Sequence, residues 1–165
     1  MTKYILPLLL ILSVPWGCSK DPAEKISQSE LGSVVNLEVK DLKSIKALAE
    51  KGDAAAQLEL GDRYWHGLGL DENRTESFNW FMKAALQGNS DSQFNVGGLL
   101  FKGDVESVGR DEVTGLAWGK IAISNGFPKA GMDQLKDIKP EQLTKAEELS
   151  KEMIKKNPKL LQKKK

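Results

Sequence analysis

The run GDAAAQLELGDRYWHGLG that begins at Gly52 returns 36 residues later as GNSDSQFNVGGLLFKG, beginning at Gly88. Gly52, Gln57, Gly61, Tyr64 and Gly67 fall on Gly88, Gln93, Gly97, Leu100 and Gly103 at that offset. After a two-residue insertion the match continues at offset 38, where Asn73, Trp80, Ala84 and Gly88 fall on Asp111, Trp118, Ala122 and Gly126. A period of this length, made of two helical patterns and two turns, predicts a solenoid, because each unit can hide its apolar face only against the next.

The spacing of apolar residues and of turn residues predicts helices at about 41–51, 54–66, 75–87, 91–102, 112–125, 128–138 and 140–156, and no segment shows convincing strand alternation. Asn73 and Asp111 stand at equivalent phase just before the second helix of each unit, as N-caps do, and Glu76 follows Asn73 at capping-box distance. Gly67, Gly88, Gly103 and Gly126 come at helix ends, where a left-handed residue closes the last turn. Gly61 and Gly97 are placed differently. A mid-helix glycine costs about 1 kcal/mol against alanine, so its recurrence predicts close backbone approach by the neighbouring helix. Trp80, Phe81, Trp118 and Ile121 on the second helices are expected to fill the layer between helices.

Ala56, Gln57, Leu60, Gly61, Tyr64, Gly67 and Gly69 form A-Q-x-x-L-G-x-x-Y-x-x-G-x-G, and Trp80, Lys83, Ala84, Ala85 and Gly88 form W-x-x-K-A-A-x-x-G. In these residues the chain resembles the Sel-one-like repeat family, relatives of the tetratricopeptide repeats. The second copy departs from the pattern, with Leu100 where Tyr is usual, Gly115 where Ala is usual, and a longer loop from Gly103 to Arg110. A third copy starts at Gly126 with Pro128, Ala130 and Leu135. It runs into Pro140, Glu141, Gln142, Ala146 and Leu149, which is similar to the family's amphipathic C-terminal cap. The resemblance covers Asp41 to Asn157 and implies an all-α, right-handed α-solenoid of tetratricopeptide-like helix pairs with a C-terminal helical cap.

Residues 1–17 stand apart from the fold. Lys3 gives a charged start, Ile5 to Val14 is an apolar core, and Gly17 precedes Cys18, which together read as a signal peptide whose apolar run is too short to span a membrane. Cys18 is the sole cysteine, so an intramolecular disulfide is excluded. Its position resembles a bacterial lipobox, although Pro15 and Trp16 depart from the usual Leu and small residue; the resemblance implies lipidation of Cys18. Ser19 after it implies the outer membrane, by the sorting rule of enteric lipoproteins. The expected location is therefore the periplasm of a Gram-negative bacterium, with the chain held to the outer membrane by its N-terminal lipid. Residues 18–40 are polar and read as a tether, able to hold the domain about 70–80 Å from the lipid when extended. The solenoid is expected over 41–157 and a basic tail over 158–165. Lys151 to Lys165 has a charge balance of +6 against +1 for the whole chain, so Met1 to Ser150 carries −5. The lysines read as a solvated helix face with a frayed end, able to touch anionic lipid or an acidic partner. An acidic remainder and an exported location argue against nucleic acid as a partner.

Positions that vary between matching repeats are not dictated by stacking. On the first helices these are Glu59, Asp62, Arg63 and His66, then Asn95, Gly98, Leu99 and Lys102. At offset 36, Glu59 should lie beside Asn95, Asp62 beside Gly98, Arg63 beside Leu99 and His66 beside Lys102. Together they predict a polar strip with an apolar spot on the concave side, exposed by helical phase and suited to partner binding. Glu59, Asp62 and His66 share a face, but three ligands from one helix converge poorly and no second His or a nearby Cys completes a metal set, so no metal site is expected. A Ser-His-Asp relay would depend on His66, the sole histidine, and no G-x-S-x-G element is present. Gly67-Leu68-Gly69 follows a helix, so it reads as a cap and turn and no phosphate cradle.

No catalytic residues, metal or other cofactor are therefore expected. The family resemblance implies a periplasmic protein–protein interaction module, an adaptor or scaffold that takes its partner on the concave face. An alternative is an immunity protein that neutralises a secreted antibacterial effector such as a phospholipase. A cell-wall, penicillin-interacting enzyme is a weaker reading, since the paired cysteines of such relatives are absent.

Overall fold

The computed structural model describes residues 41–129 and 138–162. Residues 41–50 are helical (α1) and lead into α2 (Ala54–His66), α3 (Arg74–Ala85), α4 (Ser90–Lys102), α5 (Glu112–Ser124) and α6 (Pro140–Lys156), with a closing 3-10 turn at Pro158–Leu160. No strand occurs among the described residues. The helix expected at 128–138 lies, except for its ends, outside them, as do the signal peptide and the tether at 18–40.

The helix ends follow from particular side chains. Asp53, Asn73, Asn89 and Asp111 are the N-caps of α2 to α5, each with an extended backbone and a side-chain oxygen that accepts the N–H three residues on. Asp111 also accepts the Thr114 hydroxyl at 2.7 Å. The Thr114 N–H and then that hydroxyl hold its carboxyl below the usual carboxylate range. Gly67 and Gly103 end α2 and α4 at φ of 67° and 75°, with their N–H groups bonded to Arg63 and Leu99 carbonyls.

Each helix packs on the next, α2 on α3, α3 on α4, α4 on α5 and α5 on α6. The largest core cluster joins Phe78, Phe81, Val96, Leu99, Leu100, Trp118 and Ile121, flanked by a second under α1 and α2 and a third under α5 and α6. Trp118 is buried as expected, whereas Trp80 is half-buried against Leu42, Ala49, Ala56 and Leu60, with the Lys83 ammonium 3.5 Å from its ring centroid. The bare glycine faces are used in two ways. A Cβ at Gly97 would lie 2.8 Å from the Gly115 carbonyl oxygen and 3.1 Å from the Gly119 nitrogen, so α4 and α5 meet backbone to backbone. At Gly61 the neighbour is instead the Phe81 ring, 2.6 Å from the same hypothetical atom, which corrects the expectation of backbone approach there.

A ladder of buried amides repeats with the sequence. Gln57 donates to the Ala49 carbonyl at 3.0 Å and accepts from Gln87 at 2.8 Å. One repeat later Gln93 donates to the Ala85 carbonyl at 3.1 Å and accepts from Asn125 at 2.7 Å. These bonds gather the ends of α1, α3 and α5 on one edge of the solenoid. On the opposite edge the Asn73 N–H reaches the Tyr64 carbonyl and the Asp111 N–H the Leu100 carbonyl, both at 2.8 Å. The packed body continues past the expected boundary at 157. After α6 the chain turns back over the first edge, where the Leu160 carbonyl accepts from Gln93 at 2.8 Å and Asn125 at 2.6 Å. Leu160 itself is 2% exposed within the main core. A frayed end therefore does not describe residues 158–162.

Candidate functional site

A cleft of about 250 Å³ opens between the C-terminal half of α2 and the middle and C-terminal end of α4. α2 supplies Asp62, Trp65 and His66, α4 supplies Phe94, Asn95, Gly98, Leu99 and Lys102, Asp104 follows α4, and Phe81 enters from α3 behind. Asp62, Trp65 and His66 sit at i, i+3 and i+4, and Phe94, Gly98 and Lys102 at steps of four, so each helix turns one stripe toward the cleft.

Packing against the cleft walls holds them in place. Phe81 is buried and forms the floor because Gly61 has no side chain to keep its ring away. Phe94 stacks on Phe127 with ring centroids 4.0 Å apart and planes inclined by 14°. The Arg74 guanidinium lies 5.0 Å from the Trp65 ring centroid. A Cβ at Gly98 would meet nothing within 4 Å, so this glycine opens the cleft without serving the helix contact.

The polar rim has its own order. His66 Nδ1 lies 3.0 Å from the Asp62 carbonyl oxygen. A carbonyl only accepts, so that nitrogen carries the proton and Nε2 is left for a partner. Burial raises the Asp62 carboxyl above its usual range, with Glu59 and Asp91 adding to the rise and His66 opposing it. Asp62, Asp104, Lys102 and His66 thus place both signs of charge around an aromatic floor. Such a site grips an apolar side chain and orients the polar groups beside it.

Of the strip predicted from sequence, Asp62, His66, Asn95, Leu99 and Lys102 line this cleft, and the pairs Asp62 with Gly98 and His66 with Lys102 share it. Leu99 is only 8% exposed, a piece of floor and no surface spot. Arg63 and Glu59 lie elsewhere. The Arg63 side chain, 14% exposed, bonds Asp41 at 2.9 Å and Glu59 at 2.8 Å, clamping α1 to α2. One residue is a turn of about 100° on a helix, and that step carries Arg63 from the cleft to α1. Trp65, Phe81, Phe94 and Asp104 were not anticipated in the strip. Trp65 and Phe94 carried a signal, since each is aromatic and lies three or four residues from a strip position. Among the described residues no three His, Cys, Asp or Glu side chains gather as a metal site would need, and no helix is long and apolar enough to cross a membrane.

Comparison with known proteins bears on this architecture. The Sel1 repeat family model matches residues 54–89 and 90–127, which are the two units described above. The secretory immunoglobulin A-binding protein EsiB of Escherichia coli O6:H1 (strain CFT073) is 39% identical over 59 residues, 36% of this chain and 11% of that protein. The crystal structure of c5321, a protective antigen of uropathogenic Escherichia coli with an SLR fold, superposes with a TM-score of 0.64 at 27% identity, covering 84% of this chain and 32% of that one. A Sel1 repeat protein of Oxalobacter formigenes superposes with a TM-score of 0.51 at 29% identity, over 71% of this chain and 96% of that one. The chain thus spans about a tenth of the curated relative and a third of the antigen. Two family repeats, placed where the sequence repeats itself and folded as a solved SLR protein folds, make residues 54–127 an array of Sel1 repeats.

Proposed function

We propose that this chain is a periplasmic binding module, anchored through Cys18, that captures a partner protein in the cleft between α2 and α4. Sel1 repeat proteins serve as protein–protein interaction modules. The observation that carries the reading here is the cleft itself, an aromatic floor with a mixed-charge rim built from matching positions of two repeats. Its size suits one or two side chains from a partner segment, the scale at which a few buried contacts dominate protein binding. That EsiB is named for binding an immunoglobulin supports a protein as the occupant. An effector recovered as the captured protein would identify the immunity role.

Gly98→Leu provides the test. The position is open, so the side chain fills the cleft while the helix gains from losing a glycine. Affinity capture from an envelope extract should recover the partner with the wild type and lose it with Gly98→Leu, at an unchanged or raised melting temperature. Recovery of the same proteins by both would remove the cleft as the binding site.

A further inference from the structure

The edge where α1, α3 and α5 end is mixed in charge beside α1, where Glu50 and Asp53 are exposed, and rich in lysine around the turn that carries Leu160. Three segments converge on the Leu160 turn: 77–90, which closes α3; 119–129, which closes α5; and 153–162, which follows α6. None of the three contains an acidic residue. They carry Lys83, Lys129, Lys155, Lys156 and Lys159, all exposed, and the half-buried Lys120, which pairs with Glu147 at 3.5 Å; the exposed Asp91 and Glu152 stand just beyond them. Of the exposed lysines, Lys156 pairs with Glu152 at 2.6 Å and Lys155 also acts on that carboxylate, while Lys159 forms no ion pair among the described residues. The opposite edge carries Asp71, Glu72, Asp104, Glu106 and Asp111 beside Arg74, Lys102 and Arg110.

Two large apolar side chains stand in the lysine-rich patch, Leu86 at 43% exposure and Leu161 at 37%. The Asn157 amide reaches the Leu86 carbonyl at 3.4 Å, and a Cβ at Gly88 would lie 2.8 Å from the Lys159 carbonyl oxygen, so the turn bearing Lys159 and Leu161 lies directly against the end of α3. These groups are held by a packed backbone, because the residue between Lys159 and Leu161 is the buried Leu160.

We propose that this patch docks on an anionic lipid surface, with the lysines at headgroup phosphates and Leu86 and Leu161 at the level of the glycerol backbone. A phosphate layer accepts lysines at any spacing, and the exposed leucines gain by leaving water at the same boundary. An acidic protein would need carboxylates matched to each lysine and a surface shaped to the leucines. Much of the cleft lining, Asp62, Trp65, His66, Gly98 and Lys102, lies toward the other ends of α2 and α4. The docking depends on the lysines and the two leucines and not on acylation of Cys18.

The test uses the full chain carrying Cys18→Ser, floated with vesicles of phosphatidylcholine alone or with about one-third phosphatidylglycerol. The wild-type surface should favour the anionic vesicles, with the preference lost at high salt. Lys155→Glu, Lys156→Glu and Lys159→Glu together should lower partition to anionic vesicles at least about tenfold. Leu86→Ser with Leu161→Ser should lower it about tenfold while leaving the salt dependence in place. Lys43→Glu, Lys139→Glu and Lys145→Glu make the same charge change elsewhere and should have a much smaller effect. Circular dichroism of each variant must show the wild-type helix signal. Equal partition of wild type and the Lys155, Lys156 and Lys159 triple or the Leu86 and Leu161 double, or an equal loss in the control triple, overturns the proposal. So does a wild type that ignores anionic vesicles, the result expected if an acidic protein were the true partner.

Discussion

Gly97 and Gly98 are adjacent in one helix and answer to opposite demands. At Gly97 an added methyl would drive into the Gly115 carbonyl, and backbone cannot step aside as a side chain can. Gly97→Ala should therefore cost about 1–3 kcal/mol, the range of overpacked cores. At Gly98 the same methyl meets nothing, so Gly98→Ala should stabilise by up to about 1 kcal/mol. Urea denaturation of the two variants checks the pair, and equal effects would mean that the close helix contact is misassigned. Asp62 gives a pH test at the same scale. Its folded-state pKa is raised, chiefly by burial, so the folded state binds the proton more tightly than the unfolded one. Its ionisation therefore costs stability at all pH above the folded pKa, and the cost fades as pH falls through that pKa toward the unfolded value. Asp62→Asn should be more stable than wild type at pH 7, with the difference shrinking in acid. Melting curves across pH decide this; a gain that grows in acid would reverse the assignment. Glu59, Asp91 and His66 act on this carboxylate, and Lys102 and Asp104 line its cleft.

At the scale of elements, the turn at Pro158–Leu160 acts as a clasp. It caps the amide ladder by offering Gln93 and Asn125 the Leu160 carbonyl, and it fills the core with the Leu160 side chain. Leu160→Ala should cost about 2–5 kcal/mol, the usual range for a buried leucine, and removal of residues 158–165 should cost more because Gln93 then loses a buried partner. Thermal denaturation is the check, and an unchanged midpoint on truncation would show that the clasp is ornamental. The helices were legible in the sequence because caps and glycines mark their ends; α2 begins and ends where the pattern places it, after Asp53 and before Gly67. The clasp was not legible, since lysines and a proline around Leu160 read as solvated chain. Nothing local records that Gln93, far earlier in the chain, needs an acceptor. The cleft was legible in part for a similar reason. Helical phase places Asp62 and His66 correctly, but it cannot show that α1 stands beside Arg63 with Asp41 ready to pair.

For the whole molecule, the described residues form a short solenoid with a cleft on one side and a lysine-rich patch around the Leu160 turn. The residues before 41 bear on where it works. If Cys18 carries the proposed lipid, Cys18→Ala should move the protein from the membrane to the soluble fraction of an envelope preparation with its helix content intact, because the first described helix begins at residue 41. Palmitate labelling reports the modification directly, and a wild type that takes up no label would leave an ordinary cleaved signal as the explanation. The lysine-rich patch predicts a residual, salt-sensitive association in that variant, distinct from the salt-resistant hold of an acyl chain.

Solenoids ordinarily touch only their neighbours, and such arrays can gain structure one unit at a time. The hydrogen bond from Gln93 to Leu160 breaks that locality, since it joins the start of α4 to nearly the last residues of the chain. An order of events follows. The junction of α3 and α4 cannot be completed until Leu160 has arrived, so a chain synthesised only as far as α6 carries its middle unfinished. Maturation then comes in one late step, when Leu160 enters the core and the two repeats become a single cooperative body.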